Sequence, residues 1–146
     1  MADKDKYAVS EDEGKEIMRI ATEYFRQQTG GDEEQTNRML NGLANLVQQD
    51  GIRMVHLGNT LFLVLVKGKR MVEVHTMAVD ETVSSLSKNF VMLANYLKGI
   101  GVRVAYTYAD DDRYEMVAKR SRLPFQKRQV VLPEDGKTYT AYYLEL

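Results

Sequence analysis

Residues 11–50 carry apolar side chains every three or four positions, the spacing that places them on one face of a helix. Ser10, with Glu13 at the capping-box position, predicts the start of a first helix, because this pair can satisfy the free N–H groups there. Asp32 predicts the start of a second helix. The two helices should end where glycine follows, at Gly30 and at Gly51.

From Ile52 the pattern changes to short runs of β-branched and aromatic residues separated by turn residues. These runs predict strands near residues 52–57, 60–67 and 70–78. The run LFLVLV is apolar on both faces and should lie inside a sheet, whereas the run MVEVHTM has one partly polar face. Glu73 and His75 fall on that face, which therefore offers a surface for a site.

The remaining residues predict a helix, a strand, a short helix and a final hairpin. Asp80, Glu81 and Thr82 are suited to begin the first of these helices, which should end at Gly99. The run VRVAYTYA predicts a strand, DDDRYEMVAKRS a helix, and RQVVLPEDGKTYTAYYLEL a hairpin that turns at residues 133–136. The last residues, YYLEL, should form a strand that pairs either within the sheet or with a partner.

Composition restricts the class of protein more than it indicates a function. The chain has 146 residues, the size of one domain, and we expect a loose leader over residues 1–10 and a single domain over 11–146. There is no cysteine, so disulfides and thiolate chemistry are excluded. The polar N-terminus resembles no targeting peptide, and no apolar run is long enough to span a membrane. These features predict a cytoplasmic protein without membrane contact.

The charged residues suggest neither nucleic-acid binding nor a metal site. The formal net charge is −1, which gives no overall attraction for polyanions. The aspartates at 110–112 could bind a hard cation, although capping of the following helix explains them more simply. His56 has no carboxylate at ligand spacing. A local basic cluster could contact phosphate or could be a solvated helix end: Lys119, Arg120, Arg122, Lys127 and Arg128.

The order of helix, helix, three antiparallel strands, helix, strand, helix and hairpin resembles the Gcn5-related N-acetyltransferase (GNAT) fold, most recognisably from about Leu61 onward. VEVHTMAVD, SSLSKNFVMLANYLKGIG, VRVAYTYAD and RYEMVAKRSRLPF look like the family's fourth strand, third helix, fifth strand and fourth helix. The resemblance implies an α/β (α+β) domain with a mixed, mainly antiparallel central sheet. Helices should flank this sheet, and a C-terminal β-hairpin should complete it.

The resemblance also implies where a site would lie. In that family acetyl-CoA lies between the splayed fourth and fifth strands, and its pyrophosphate binds amide N–H groups where the third helix begins. Carried to this chain, Glu73 or His75 is the expected general base, and Tyr114 is the candidate general acid. A cross-strand ion pair of Glu73 with Lys67 or Arg70 is the alternative for that carboxylate. The residues implied at the cofactor are Val79, Ser84, Ser85 and Ser87.

The family's own motif residues are replaced in this chain. Its phosphate-binding pattern is Gln or Arg, two residues, Gly, one residue, then Gly or Ala, and those positions fall on Ser84, Ser87 and Asn89. Side chains at the glycine positions would crowd the approach of a phosphate to the backbone. The family tyrosine lies five residues before a phenylalanine, and counting back from Phe125 gives Arg120.

These replacements favour a degenerate GNAT-fold protein that binds another protein or itself. No cofactor is then expected. The chain is similar to small acetyltransferase-like proteins of tailed bacteriophages, so the resemblance implies a virion-associated structural component. The alternative is an acetyl-CoA-dependent N-acetyltransferase that acts on an amine acceptor.

Overall fold

A computed structural model describes residues 11–109 and 112–146. Helices and strands follow one another in the order that the sequence predicts. The helices are α1 (Glu11–Thr29), α2 (Glu33–Leu46), α3 (Val83–Gly99) and α4 (Asp112–Ser121). The strands are β1 (Ile52–Leu57), β2 (Thr60–Gly68), β3 (Met71–Ala78), β4 (Val104–Ala109), β5 (Gln126–Val131) and β6 (Thr138–Glu145).

The strands form one sheet in the order β1-β2-β3-β4-β6-β5. All neighbouring strands are antiparallel except β3 and β4, which are parallel. The mixed, mainly antiparallel sheet flanked by helices confirms the predicted fold class, including its C-terminal hairpin. The terminal strand β6 lies between β4 and β5, so it pairs within the sheet.

The parallel contact between β3 and β4 is short. It runs from Met71 opposite Val104 to Glu73 opposite Tyr106, and both strands continue beyond it. On its other side β3 stays paired with β2 as far as Ala78. β4 likewise stays paired with β6 to its end. The two strands therefore separate in the middle of the sheet. We call the opening between β3 and β4 the splay.

Two helices lie on each face of the sheet. On one face α3 and α4 pack over Phe62 and Val74, with Val117 of α4 fully buried among them. On the opposite face α1 and α2 pack over Leu61 and Met77. Leu61 and Phe62 are adjacent on β2 and both have no exposed area, which explains why this run is apolar on both faces. Burying one such side chain contributes about 1.5–3 kcal/mol.

Among the predicted boundaries that differ from the observed ones, those of α2 and β4 have a visible cause. The second helix ends at Leu46 instead of reaching Gly51, because turn hydrogen bonds replace the helical pattern after Val47. β4 begins at Val104, since its first N–H groups are held by the Arg70 carbonyl at the β2–β3 turn. The predicted cap Ser10 lies outside the described residues. Within the described ranges, no helix is both long and apolar enough to cross a membrane.

Candidate functional site

A cleft of about 590 Å³ opens where β3 and β4 separate. On the side of α1 and α2 its walls are mostly apolar, and through the splay it reaches the side of α3 and α4. Chains of this topology leave such an opening because a parallel pair that stops early has no partner strand to fill the gap. The described residues that line it are Tyr24, Phe25, Met39, Leu43, Leu46, Leu63, Leu65, His75, Thr76, Met77, Thr107, Tyr108, Ala109 and Tyr114.

Glu73 and His75 form a pair at one wall of this cleft. His75 Nε2 lies 2.6 Å from Glu73 Oε2, and the two residues share a face because they are two positions apart on one strand. The Glu73 side chain is only 14% exposed, whereas that of His75 is 54% exposed. The alternative pairing of Glu73 with Lys67 or Arg70 is therefore wrong, because the nearest basic group is the imidazole on the same strand. A carboxylate behind a histidine is an arrangement suited to accepting a proton.

Tyrosines extend the same face onto β4 and β6. The rings of Tyr106 and Tyr143 are stacked with centroids 5.5 Å apart, and Tyr108 meets Tyr106 edge-on at 5.6 Å. Burial, together with the charge of Glu73, raises the pKa of Tyr106 to about 12. The phenol of Tyr106 therefore stays protonated beside the Glu73 carboxylate at neutral pH.

Tyr114 reaches the splay from the first half of α4. Its ring packs between Phe90 and Tyr142, with centroid distances of 5.2 Å to each. Burial raises the pKa of Tyr114 to about 12, and the hydroxyls of Thr76 and Thr107 offset this only in part. The proton therefore remains on Tyr114 at neutral pH. The structure brings Tyr114 to the same cleft as His75, whereas Arg120 lies on the outer side of α4 near Ser84.

The sequence patterns did not point to Thr76 or Thr107. The Thr76 hydroxyl is buried, and among the described residues it has no hydrogen-bond partner of good geometry. It nevertheless lies close enough to the Tyr114 hydroxyl to lower its pKa, so the two groups are neighbours without an aligned bond. Alternation along β3 places Thr76 away from Glu73 and His75, which is why it was not a candidate. A buried polar group without a partner is a signal that only the structure provides.

The first turn of α3 is capped by its own side chains. Thr82 is the N-cap: its Oγ1 accepts a hydrogen bond from the Ser85 N–H at 3.0 Å, and Ser85 Oγ accepts one from the Thr82 N–H at 2.9 Å. Asp80, which was expected to help cap this helix, precedes the cap and has a φ of 54°. The capping box occupies two N–H groups, those of Thr82 and Ser85, that a phosphate would otherwise bind.

The other predicted cofactor residues also have structural contacts. Ser87 donates its hydroxyl to the carbonyls of Val83 and Val117, which links α3 to α4. Ser84 Oγ lies 3.4 Å from an Arg120 guanidinium nitrogen. The side chain of Val79 is buried in the core under α1. Binding of a cofactor by these residues stays a prediction.

A polar network connects the start of α3 to the β1–β2 turn. Asn89 is 8% exposed and donates to Glu81 Oε2 at 2.6 Å, to the Leu57 carbonyl at 3.2 Å and toward Thr60 Oγ1. Glu81 Oε1 also accepts from the Asn59 backbone N–H at 3.2 Å. A carboxylate is therefore held close to the first turn of α3. Asn89 occupies a position of the family's glycine pattern, and here its side chain supports the loop.

The site fits the two ends of an acyl-CoA molecule differently well. The splay offers an apolar channel with a protonated phenol and a histidine–carboxylate pair, which fits the thioester end. The first turn of α3 offers a closed capping box and the Glu81 carboxylate, which does not fit a pyrophosphate well. Arg113 and Arg120 approach this turn from α4 and supply positive charge. The fit is therefore good at the reactive end and weak at the nucleotide end.

The remaining candidates do not form a second centre. His56 contacts the Gly58 carbonyl at 2.8 Å and lies 3.5 Å from Glu13, so it ties α1 to the β1–β2 hairpin. Residues 110 and 111 of the aspartate run lie outside the described residues. Over the described ranges, no group of three or more potential metal ligands occurs.

No family model and no curated protein matches the chain. A solved structure described as a GCN5-related N-acetyltransferase: aminotransferase, class-II, from Rhodopseudomonas palustris is 15% identical, with 94% of this chain and 92% of that chain covered and a TM-score of 0.49. The Bacillus subtilis acetyltransferase in complex with CoA is 13% identical, with 70% of this chain and 83% of that chain covered and a TM-score of 0.47. These similarities are too weak to assign a family or a reaction.

Proposed function

We propose that the protein is an acyl-CoA-dependent N-acyltransferase that binds the nucleotide part of its donor weakly. The observation that carries the proposal is the convergence of two groups on one cleft. His75, supported by Glu73, lines the cleft from the side of α1 and α2, and Tyr114 lines it from the side of α4. This is the arrangement that acyl transfer from a thioester to an amine needs: a proton acceptor for the amine and a proton donor for the sulfur.

The proposed reaction moves protons in two places. The nitrogen of the acceptor amine forms a bond to the acyl carbon, and the carbon–sulfur bond breaks. His75 takes the proton that the amine loses and then releases it to solvent, and Glu73 stabilises the imidazolium in between. Tyr114 gives its proton to the thiolate sulfur and regains one from solvent, so the products are an amide and a free thiol. Thr76 and Thr107 keep the phenol at the splay, where the sulfur would lie.

Titration calorimetry with acetyl-CoA, followed by a thiol-release assay with a panel of amines, tests this proposal. We expect binding with a dissociation constant between about 10 μM and 1 mM, or roughly −7 to −4 kcal/mol. Transfer should depend on Tyr114 and His75, whereas Tyr96→Phe, which removes a hydroxyl that bonds Arg53 away from the cleft, should leave it unchanged. Absence of heat at 1 mM acetyl-CoA (about −4 kcal/mol) together with an unchanged melting temperature would overturn the proposal.

A protein-binding role is the second candidate, and the tyrosine face favours it. Tyr106, Tyr108 and Tyr143 are partly exposed, and the Arg128 guanidinium lies 5.3 Å from the centre of the Tyr143 ring. Tyrosine and arginine are enriched at the centres of interfaces. If this face mediates self-association, sedimentation should show a dimer that Tyr143→Glu dissociates. A monomer up to millimolar concentration would exclude that version of the role, and a virion-associated function stays a prediction from the resemblance.

A further inference from the structure

The wall of the cleft on the side of α1 and α2 is almost without charge. Its helices contribute Phe25, Met39 and Leu43 among others, and its strands contribute Leu63 and Met77. Among the described residues that line the cleft, His75 has the only side chain that can carry a positive charge near neutral pH. A second charged group on a bound molecule would be placed against apolar side chains without a partner, which is costly.

Aromatic rings line the cleft on its helix side and on its sheet side. Tyr24 and Phe25 of α1 meet edge-to-face with centroids 5.6 Å apart, and Tyr108 of β4 lines the cleft across from the helices. Burial raises the pKa of Tyr24, so its phenol stays neutral. Aromatic rings favour aromatic or branched apolar partners through offset and edge-on contacts. The volume of about 590 Å³ is within the range of small-molecule sites.

Glu73 does not itself line the cleft, but its carboxylate is bonded to His75, which does. The carboxylate lies behind His75, and its side chain is only 14% exposed. A ligand with a single amine could place that amine at the Glu73–His75 pair while its body stays on the apolar wall. An acidic ligand would bring a second negative charge to the same place, which Coulomb repulsion disfavours.

We propose that the acceptor is a small primary amine with an apolar, preferably aromatic, body and no second charge. This inference rests on the proposed function, because it names the acceptor that the same cleft would take. Polyamines, amino sugars and acidic amines are disfavoured by the same apolar wall. The acceptor body lies against Phe25, Met39 and Leu43, and its nitrogen lies at His75.

Three probes separate the contributions of the amine and of the body: 2-phenylethylamine, phenylacetate and 1,4-diaminobutane. Phenylacetate has the same ring without the amine, and 1,4-diaminobutane has two amines without the ring. Saturation-transfer NMR and calorimetry on the full chain, without acetyl-CoA, give the three affinities. We expect 2-phenylethylamine to bind at least about tenfold more tightly than either of the others. Equal affinities, or tightest binding of 1,4-diaminobutane, would overturn the proposal.

Met39→Lys is the variant that tests the location, because Met39 lines the cleft and is 42% exposed, so its replacement leaves the core intact. We expect it to lower the affinity for 2-phenylethylamine at least about fivefold by adding a like charge. Met18→Lys is the matched control: Met18 is 55% exposed on α1 and does not line the cleft. If Met18→Lys weakened binding as much as Met39→Lys, the effect would be one of net charge and the assigned location would be wrong.

A transfer assay with acetyl-CoA separates this inference from the proposed function. Selective binding of 2-phenylethylamine without any transfer would support the apolar amine site while the transferase proposal fails. Acetylation of 1,4-diaminobutane in preference to 2-phenylethylamine would overturn the inference while the transferase proposal stands. Preferential acetylation of 2-phenylethylamine, lost in Met39→Lys and kept in Met18→Lys, is the result that we expect.

Discussion

The splay between β3 and β4 and the first turn of α3 belong to the same proposed site, but their polar groups are satisfied differently. At the splay the buried Thr76 hydroxyl has no aligned partner among the described residues, and the buried, protonated phenol of Tyr114 lines the cleft beside it. At the first turn of α3, Thr82 and Ser85 bond each other, and Glu81 is bonded to Asn89. The first region keeps an opening in the sheet, and the second is closed by its own side chains.

The difference shows which parts of a site follow from the fold and which from individual residues. The splay results from the strand order, because a parallel pair between two antiparallel sets of strands can end early without exposing either strand's other edge. A phosphate-binding site requires particular residues whose backbone N–H groups stay free, and glycine provides that most readily. A chain can therefore have the opening between β3 and β4 without having a phosphate-binding site at the start of α3.

The largest expected effect tests the open region. Tyr114→Phe removes the proton donor and should lower the transfer rate by about 100-fold or more, the usual size of general acid catalysis. Acetyl-CoA affinity and melting temperature should change little, because the ring and its packing remain. Stopped-assay rates and calorimetry on the same preparation measure both quantities. A rate reduced less than about threefold would show that Tyr114 is only a packing residue.

The next effect tests the closed region. Asn89→Ala removes the donor of three contacts and leaves Glu81 without its closest partner, so we expect a loss of about 1–3 kcal/mol in the free energy of unfolding. Urea denaturation measures this loss. Asn45→Ala, an exposed position on α2, is the control and should change stability by less than about 0.5 kcal/mol. Similar values for the two variants would remove the support for a specifically closed loop.

A smaller effect concerns the charge beside the first turn of α3. Glu81→Gln can keep an acceptor for the Asn59 N–H, gives up the one for Asn89, and removes a negative charge, which opposes an anion in water by about 1 kcal/mol at contact. Acetyl-CoA should therefore bind a few-fold more tightly in low salt, and the gain should shrink at high salt. Glu34→Gln on α2 is the control. Weaker binding in Glu81→Gln would mean that the carboxylate positions the loop for the ligand.

The smallest effect concerns the ion pair that follows Tyr114 on α4. Lys127, with help from Lys119, lowers the pKa of Glu115 below its usual value of 4.5. A lowered folded-state pKa stabilises the protein above pH 4.5 and loses this contribution as the pH falls through the folded value. Glu115→Gln should therefore lower the melting temperature slightly at pH 7 and not at all well below pH 4. An equal difference at both pH values would rule out a charge effect.

The sequence predicts most of the fold because its elements are marked by local signals. Asp32 begins α2, a pair of glycines ends α1, and the hairpin turns lie at the predicted positions. The Glu73–His75 pair could also be predicted as a pair, because two residues at that spacing share a strand face. Local signals were less exact at Leu46, where turn hydrogen bonds end α2 before its glycine.

The rest of the site could not be predicted because it depends on contacts between distant segments. Thr76 becomes a candidate only when α4 brings Tyr114 to the splay. In the sequence, Asn89 is only a residue that replaces a glycine of the family's pattern. The structure shows that its side chain donates a hydrogen bond to the Leu57 carbonyl beside the β1–β2 turn. Such contacts depend on how distant segments are arranged in the fold. The spacing of residues along one helix or strand does not predict that arrangement.

A comparison of S-acetylpantetheine with acetyl-CoA by calorimetry tests most directly the claim that the thioester end supplies most of the binding and the nucleotide end contributes only weakly. S-acetylpantetheine lacks the nucleotide and its phosphates but retains the arm that would lie in the splay. We predict dissociation constants within about tenfold of each other, or about 1.4 kcal/mol. Acetyl-CoA binding more than about 100-fold tighter, or no binding of S-acetylpantetheine at all, would contradict the account.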